Sequence, residues 1–139
     1  MTQITLAVSG SISAYKAADI TSRLKKENFE VGVLMTNAAT EFITPLTLQV
    51  LSQRPVAIDI MQEPNPSKVN HIDIAKESDL FLLAPATANT IAKLANGLAD
   101  NMVTATALAL QPHTKKVLAP AMNTKMFENP LTQQNLERL

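Results

Sequence analysis

The sequence predicts an α/β fold: a parallel sheet with helices on both faces. Three observations predict it. Short apolar, β-rich runs alternate with longer segments of helical period. Two of those runs, residues 80–84 and 117–121, are apolar throughout, as in strands buried on both faces. The joins carry turn and stop residues, among them Ser9-Gly10-Ser11 and Asn96-Gly97.

Residues 4–8 form the first apolar run and predict a strand. A helical stretch follows, with Ile12, Ala17, Ile20 and Leu24 on one face. Its last turn carries Arg23, Lys25 and Lys26, where cations favour the helix dipole. Residues 30–35 predict the second strand, and 42–51 a helix with Pro45 in its first turn. Residues 56–60 read as a short strand or edge segment, and 62–70, with Pro64 and Pro66, as a loop. A short helix is expected over 71–77 and a buried strand over 80–84. Ala-rich helices are expected over 88–95 and 99–110, a second buried strand over 117–121, and a helix from Pro130 to the end.

Composition narrows the function. The 139 residues are the size of one domain, and 46% are hydrophobic, enough for a core and too many for a disordered chain. Lys+Arg and Asp+Glu are both 12, so no basic surplus points to nucleic acid or an anionic membrane. The absence of cysteine removes disulfides, thiolate metal sites and a catalytic thiol from these residues. No apolar run is long enough to span a membrane, and the N-terminus reads as a strand and not a signal peptide. The expectation is one cytoplasmic domain with no nucleic-acid, membrane or metal partner.

In an open parallel sheet, ligands bind beyond the carboxyl ends of the strands. Four loops are therefore the places to look. The first, Ser9-Gly10-Ser11-Ile12-Ser13, offers hydroxyls and helix-start N–H groups to a phosphate, or is an ordinary serine cap after a tight turn. Only Gly10 of a dinucleotide fingerprint is present, so one phosphate fits better than a pyrophosphate. The second, Thr36-Asn37-Ala38-Ala39, is small and polar and could admit a flat ring or a phosphate near the backbone, or be a plain turn. In the third, Pro85, Ala86 and Ala88 allow close approach of a planar ligand, while Thr87, Asn89 and Thr90 supply hydrogen bonds; two capped helices account for it equally well. In the fourth, Ala121-Met122-Asn123, an amide just past a buried strand can bind a carboxylate or serve as a turn former.

Of the two histidines, His71 opens an apolar-periodic helix and could reach a site as base or charge partner, or simply start the helix. His113 lies in a polar turn. No metal-ligand spacing, serine nucleophile elbow or P-loop lysine motif is present.

Taken together, the segments resemble the flavin-containing cysteine decarboxylases. The resemblance rests on Val8-Ser9-Gly10-Ser11-Ile12-Ser13-Ala14, Val69-Asn70-His71-Ile72, the run from Ala84 to Lys93, Asn96-Gly97-Leu98-Ala99-Asp100-Asn101, and Ala119-Pro120-Ala121-Met122-Asn123 with Met126 and Asn129-Pro130. Each piece is weak alone; their order and spacing together are specific. The resemblance implies a three-layer, Rossmann-like, flavodoxin-type fold that binds FMN. It implies cofactor contacts at Ser9, Gly10, Ser11, Ile12, Thr36, Ala38, Pro85, Thr87, Ala88, Asn89, Thr90 and Ala121. It implies an active-site histidine at His71, and a substrate carboxylate bound by Asn123 beside Met122.

The activity implied is FMN-dependent decarboxylation of 4'-phospho-N-pantothenoylcysteine to 4'-phosphopantetheine, a step of coenzyme A biosynthesis. The alternatives are a peptidyl-cysteine decarboxylase of peptide-antibiotic maturation and a non-catalytic FMN-binding relative. The resemblance further implies a homo-oligomer, a trimer or a dodecamer. The family's substrate flap carries a cysteine some tens of residues beyond the Asn123 position; the 139 residues contain none, so residues 1–139 are expected to form a single FMN-binding domain without that flap.

Overall fold

A computed structural model describes residues 1–139. Four parallel strands form one sheet: β1 (Gln3–Val8), β2 (Glu30–Met35), β3 (Leu80–Ala86) and β4 (Lys115–Pro120). Their spatial order is β2-β1-β3-β4. Connections leave β1 toward β2 and return to β3 on the other side, so the order reverses between β1 and β3. This is the flavodoxin-like winding, whose ligand crevice opens at the carboxyl ends of those two strands.

The helices are α1 (Lys16–Lys26), α2 (Pro45–Ser52), α3 (Asn70–Glu77), α4 (Ala88–Ala95), α5 (Met102–Leu108), α6 (Thr124–Glu128) and α7 (Pro130–Arg138). Side-chain alternation along the strands divides the core in two. Leu6, Val8, Val31, Val33 and Met35 meet Ala17 of α1 and Leu48 of α2 on one face. Ala7, Leu34, Phe81 and Leu83 meet Ile74 of α3, Ile91 of α4 and Met102 and Val103 of α5 on the other. The three layers expected from the sequence are present.

Local chemistry sets the helix ends. Thr44, Thr87 and Asn101 each accept a backbone N–H three residues on, and Asn101 with Thr104 closes a reciprocal capping box. Pro45 takes the first position of α2, so this helix starts three residues later than the 42–51 expected. Gly97 stands at φ 71 just past α4, and the Leu98 N–H reaches back to the Lys93 carbonyl, 3.0 Å, to finish that helix. The segment expected as a strand or edge over 56–60 makes one parallel bridge, Ala57 to Leu34, at the outer edge of β2.

Three expectations are corrected. The stretch after Ser9-Gly10-Ser11 begins as a 3-10 turn, Ile12–Tyr15, before α1. Its three-residue period throws Ile12 off the inward stripe, and the side chain is 80% exposed. The strand expected to be buried at 117–121 is β4, whose residues are exposed except for the half-buried Leu118. It is the last strand of the sheet, and an apolar run does not reveal whether a further strand lies beside it. Helix α6 was not expected at all.

Candidate active site

The loops after β1, β2 and β3 are bonded to one another, so the crevice is built before any ligand arrives. Ser9, fully buried at the end of β1, donates its hydroxyl to the Pro85 carbonyl and accepts the Thr87 N–H at 3.0 Å. Its own N–H also donates to Pro85 O, 3.3 Å. One serine therefore joins the first loop to the third. The Thr36 N–H donates to Val8 O, 3.0 Å, tying the second loop to β1. Gly10 lies so close to Ala38 that a Cβ built on it would come within 2.4 Å of the Ala38 Cβ. A fourth tie runs from the Ala121 N–H to Ala86 O, 3.1 Å, at the end of β4.

What remains free in this frame is a set of donors. Gly10 and Ser11 donate their N–H groups to no protein acceptor. Ser11 Oγ accepts from the Ser13 N–H, 3.1 Å, which leaves the Ser11 hydroxyl hydrogen free. Ile12 stands outermost in this loop. Thr36 is buried, its hydroxyl accepting the Ala39 N–H, 3.2 Å. Thr87 accepts the Thr90 N–H and donates to the Thr90 hydroxyl, both 3.2 Å. Ala88 and Asn89 follow in the first turn of α4, where backbone N–H groups have no partner within the helix. The exposed Asn89 side chain is unengaged. Pro85 is buried behind a cis Ala84–Pro85 bond.

His71 is the second residue of α3, and its Nδ1 is buried with no hydrogen-bond partner. A buried imidazole nitrogen without a partner carries a desolvation cost that a ligand or a transferred proton can offset. Because α3 leads into β3, which is parallel to the rest of the sheet, its N-terminal end lies at the carboxyl edge, on the side of the loops above. Asn123 caps α6: its Oδ1 accepts the Met126 N–H, 3.0 Å. That bond fixes the amide's orientation and leaves both Nδ2 hydrogens free, the donor geometry a carboxylate accepts. Met122 is half-buried and packs against the second core face.

The structure thus gathers the predicted residues of the first three loops into one frame, with Ala121 tied to it. Ser9 spends its hydroxyl inside the protein, so its part is to hold loops together, whereas Thr36 only accepts the Ala39 N–H and keeps its hydroxyl hydrogen free. The Ser9 bridge was not foreseen from the sequence, because its partners lie more than seventy residues away. No cluster of three or more His, Asp and Glu side chains could hold a metal ion, and no helix is long and apolar enough to cross a membrane. A groove of about 520 Å³ lies apart from the loops, against the sheet between Gln3, Gly32, Arg54 and Glu77, and reaches α3 at Asn70.

A 2-1-3-4 parallel sheet with a loop of free N–H donors and a small-residue loop at its switch point is the architecture of nucleotide-cofactor-binding α/β proteins. The sequence matches the Flavoprotein family over residues 1–139, and the chain belongs to that family. It is 61% identical over 137 residues to the probable phosphopantothenoylcysteine decarboxylase of Streptococcus mutans, covering 99% of this chain and 76% of that one. It is 47% identical to the coenzyme A biosynthesis bifunctional protein CoaBC of Bacillus subtilis, but spans only 33% of that longer chain. Among solved structures, that of the FMN-dependent cysteine decarboxylase SpaF superposes with a TM-score of 0.92 at 28% identity, covering 100% of this chain and 79% of the other.

Proposed function

We propose that this chain binds FMN in the crevice between β1 and β3 and decarboxylates 4'-phospho-N-pantothenoylcysteine to 4'-phosphopantetheine, a step of coenzyme A biosynthesis. The observation that carries the reading is the 61% identity, across nearly the whole chain, to a probable phosphopantothenoylcysteine decarboxylase. The frame's chemistry fits the cofactor. The free N–H groups of Gly10 and Ser11, with the Ser11 hydroxyl, suit a phosphate. The small side chains of Ala38, Ala88 and Ala121 leave room for a flat ring, with Thr36, Thr87, Asn89 and Thr90 around it.

Bound FMN would supply a reversible two-electron oxidation of the sulfur-bearing carbon, which lets the neighbouring carbon lose carbon dioxide, and would return the electrons afterwards. The protein's own groups do the rest. Asn123 Nδ2 donates to the departing carboxylate and holds its bond in line for cleavage. His71 Nδ1, buried and unpaired, holds or hands over a proton beside it. The interlocked loops fix the ring relative to both.

The same reading makes the protein a cytoplasmic homo-oligomer, a trimer or a larger assembly of trimers. Ile12, Phe42, Met61, Val69 and Ile72 support this: these apolar side chains stand exposed in the loops and helix starts around the carboxyl edge. A peptidyl-cysteine substrate is the second reading, favoured by the superposition on the peptidyl-cysteine decarboxylase EpiD, with a TM-score of 0.83 at 29% identity.

An absorbance spectrum of the purified protein tests the first claim, followed by carbon dioxide release from 4'-phospho-N-pantothenoylcysteine and from a peptide ending in cysteine. A yellow protein active on the small phosphorylated substrate supports the proposal. Activity on the peptide alone transfers it to the second reading. A protein that cannot take up FMN overturns both. In the active case, N123A and H71A are expected to lose carbon dioxide release at least a hundredfold while keeping FMN.

A further inference from the structure

Helix α3 begins without a cap of its own. The residue at its N-cap position is Val69, whose side chain accepts no hydrogen bond. The first N–H of the helix, that of Asn70, is instead taken by the carboxylate of Glu63, at 2.7 Å, from seven residues upstream. The loop between them is built to keep that reach. Pro64 and Pro66 restrict it, Asn65 Oδ1 accepts both the N–H (3.0 Å) and the hydroxyl (2.8 Å) of Ser67, and the Lys68 N–H returns to Asn65 O, 3.1 Å. Lys68 Nζ then meets Asp73 Oδ2 at 3.4 Å, a second tie between the loop and the first turn of α3. The next residue after Asn70 is His71.

We infer that Glu63 is a positioning residue for His71, acting through the first turn of α3. An acceptor at this point satisfies an orphan donor and places negative charge at the positive end of the helix dipole. It holds closed the turn from which the imidazole projects. Without it, the Asn70 N–H loses its acceptor, and the turn keeps only the Asp73 N–H bond to Val69 O, 2.9 Å, and the partly exposed Lys68–Asp73 pair, which solvent screens. The inference rests on the proposed role of His71, and its consequence is specific. Losing the acceptor displaces the imidazole and slows turnover, while the FMN loops, which Glu63 does not touch, keep their affinity.

The test compares E63A with E63Q in the FMN-loaded protein. Glutamine keeps a carbonyl acceptor at the same reach; alanine removes it. Hydrogen exchange over residues 69–77 is expected to speed up in E63A and stay near that of the unchanged protein in E63Q. The turnover number is expected to fall roughly tenfold in E63A, with KM and FMN affinity unchanged, and to recover in E63Q. Equal turnover in E63A and the unchanged protein overturns the inference, as does an E63Q that exchanges and turns over like E63A. Faster exchange in E63A, restored in E63Q, within a protein that decarboxylates nothing leaves the cap in place and removes only the functional reading on which His71 depends.

Discussion

The two sides of this sheet's centre are built differently. Around β1 and β3 the strands are buried, and three successive loops are tied by Ser9, Thr36 and the close seat of Gly10 on Ala38. At β4 and α6 the backbone runs exposed, and only the bond from Ala121 to Ala86 joins it to the other loops. The residues assigned to the cofactor lie mostly in the first region and the amide assigned to the substrate lies in the second. The cross-loop hydrogen bonds thus concentrate where the proposal seats the cofactor, and the more exposed end is where it seats the substrate.

The largest effect that sharpens this contrast is expected from Gly10→Val. Its branched side chain has no room against Ala38, so the loops must part and FMN uptake should be lost, read by the flavin absorbance of the purified protein. Phe81→Ala, a deletion of a fully buried ring from β3, is expected to cost about 3–5 kcal/mol of unfolding free energy, measured by urea denaturation. Ser9→Ala leaves the Thr87 N–H without its acceptor, while Pro85 O keeps the Ser9 N–H, and should cost about 1–3 kcal/mol, with a matching loss of FMN affinity in fluorescence titration. Val117→Ala in the exposed strand should cost about 0.5 kcal/mol or less. If it costs as much as Phe81→Ala, the two regions do not differ as described.

The smallest effect belongs to Asp100. Its hydrogen bond from Lys93 holds its carboxyl below the ordinary value of 3.8. A carboxylate whose pKa falls on folding stabilises the folded state above the unfolded value, and loses that contribution as pH drops through the folded one. Asp100→Asn should therefore lower the urea midpoint slightly at pH 7 and leave no difference from the unchanged protein in strong acid.

The sheet, its parallel sense and the starts of α3, α4 and α7 were legible because each is set locally, whereas the helices expected from 42 and 99 begin only at Pro45 and Met102, behind their caps. Alternation of apolar runs with helical periods gives the layers, and Thr44, Thr87, Asn101 and Gly97 mark ends through bonds only a few residues long. The loop residues carrying the family pattern were legible as a group for the same reason, since they sit where strands stop. Position within the sheet was not legible. Val117 and Leu118 read like Leu82 and Leu83, yet lie on a strand with a neighbour on one side only. The reach of Glu63 to Asn70 and of Ser9 to Pro85 was equally hidden, because a hydrogen bond across an irregular loop or between strands leaves no period in the sequence.

The outlying position of β4 has one more consequence. Within residues 1–139 its outer side presents backbone donors and acceptors with no strand beside them, the kind of border to which a further extended segment adds. The strand opens with Lys115 and Lys116, both exposed. Two like charges side by side repel an identical border brought alongside in register. The lysines, which lie outside the proposed crevice, thereby disfavour pairing of that border with its own copy.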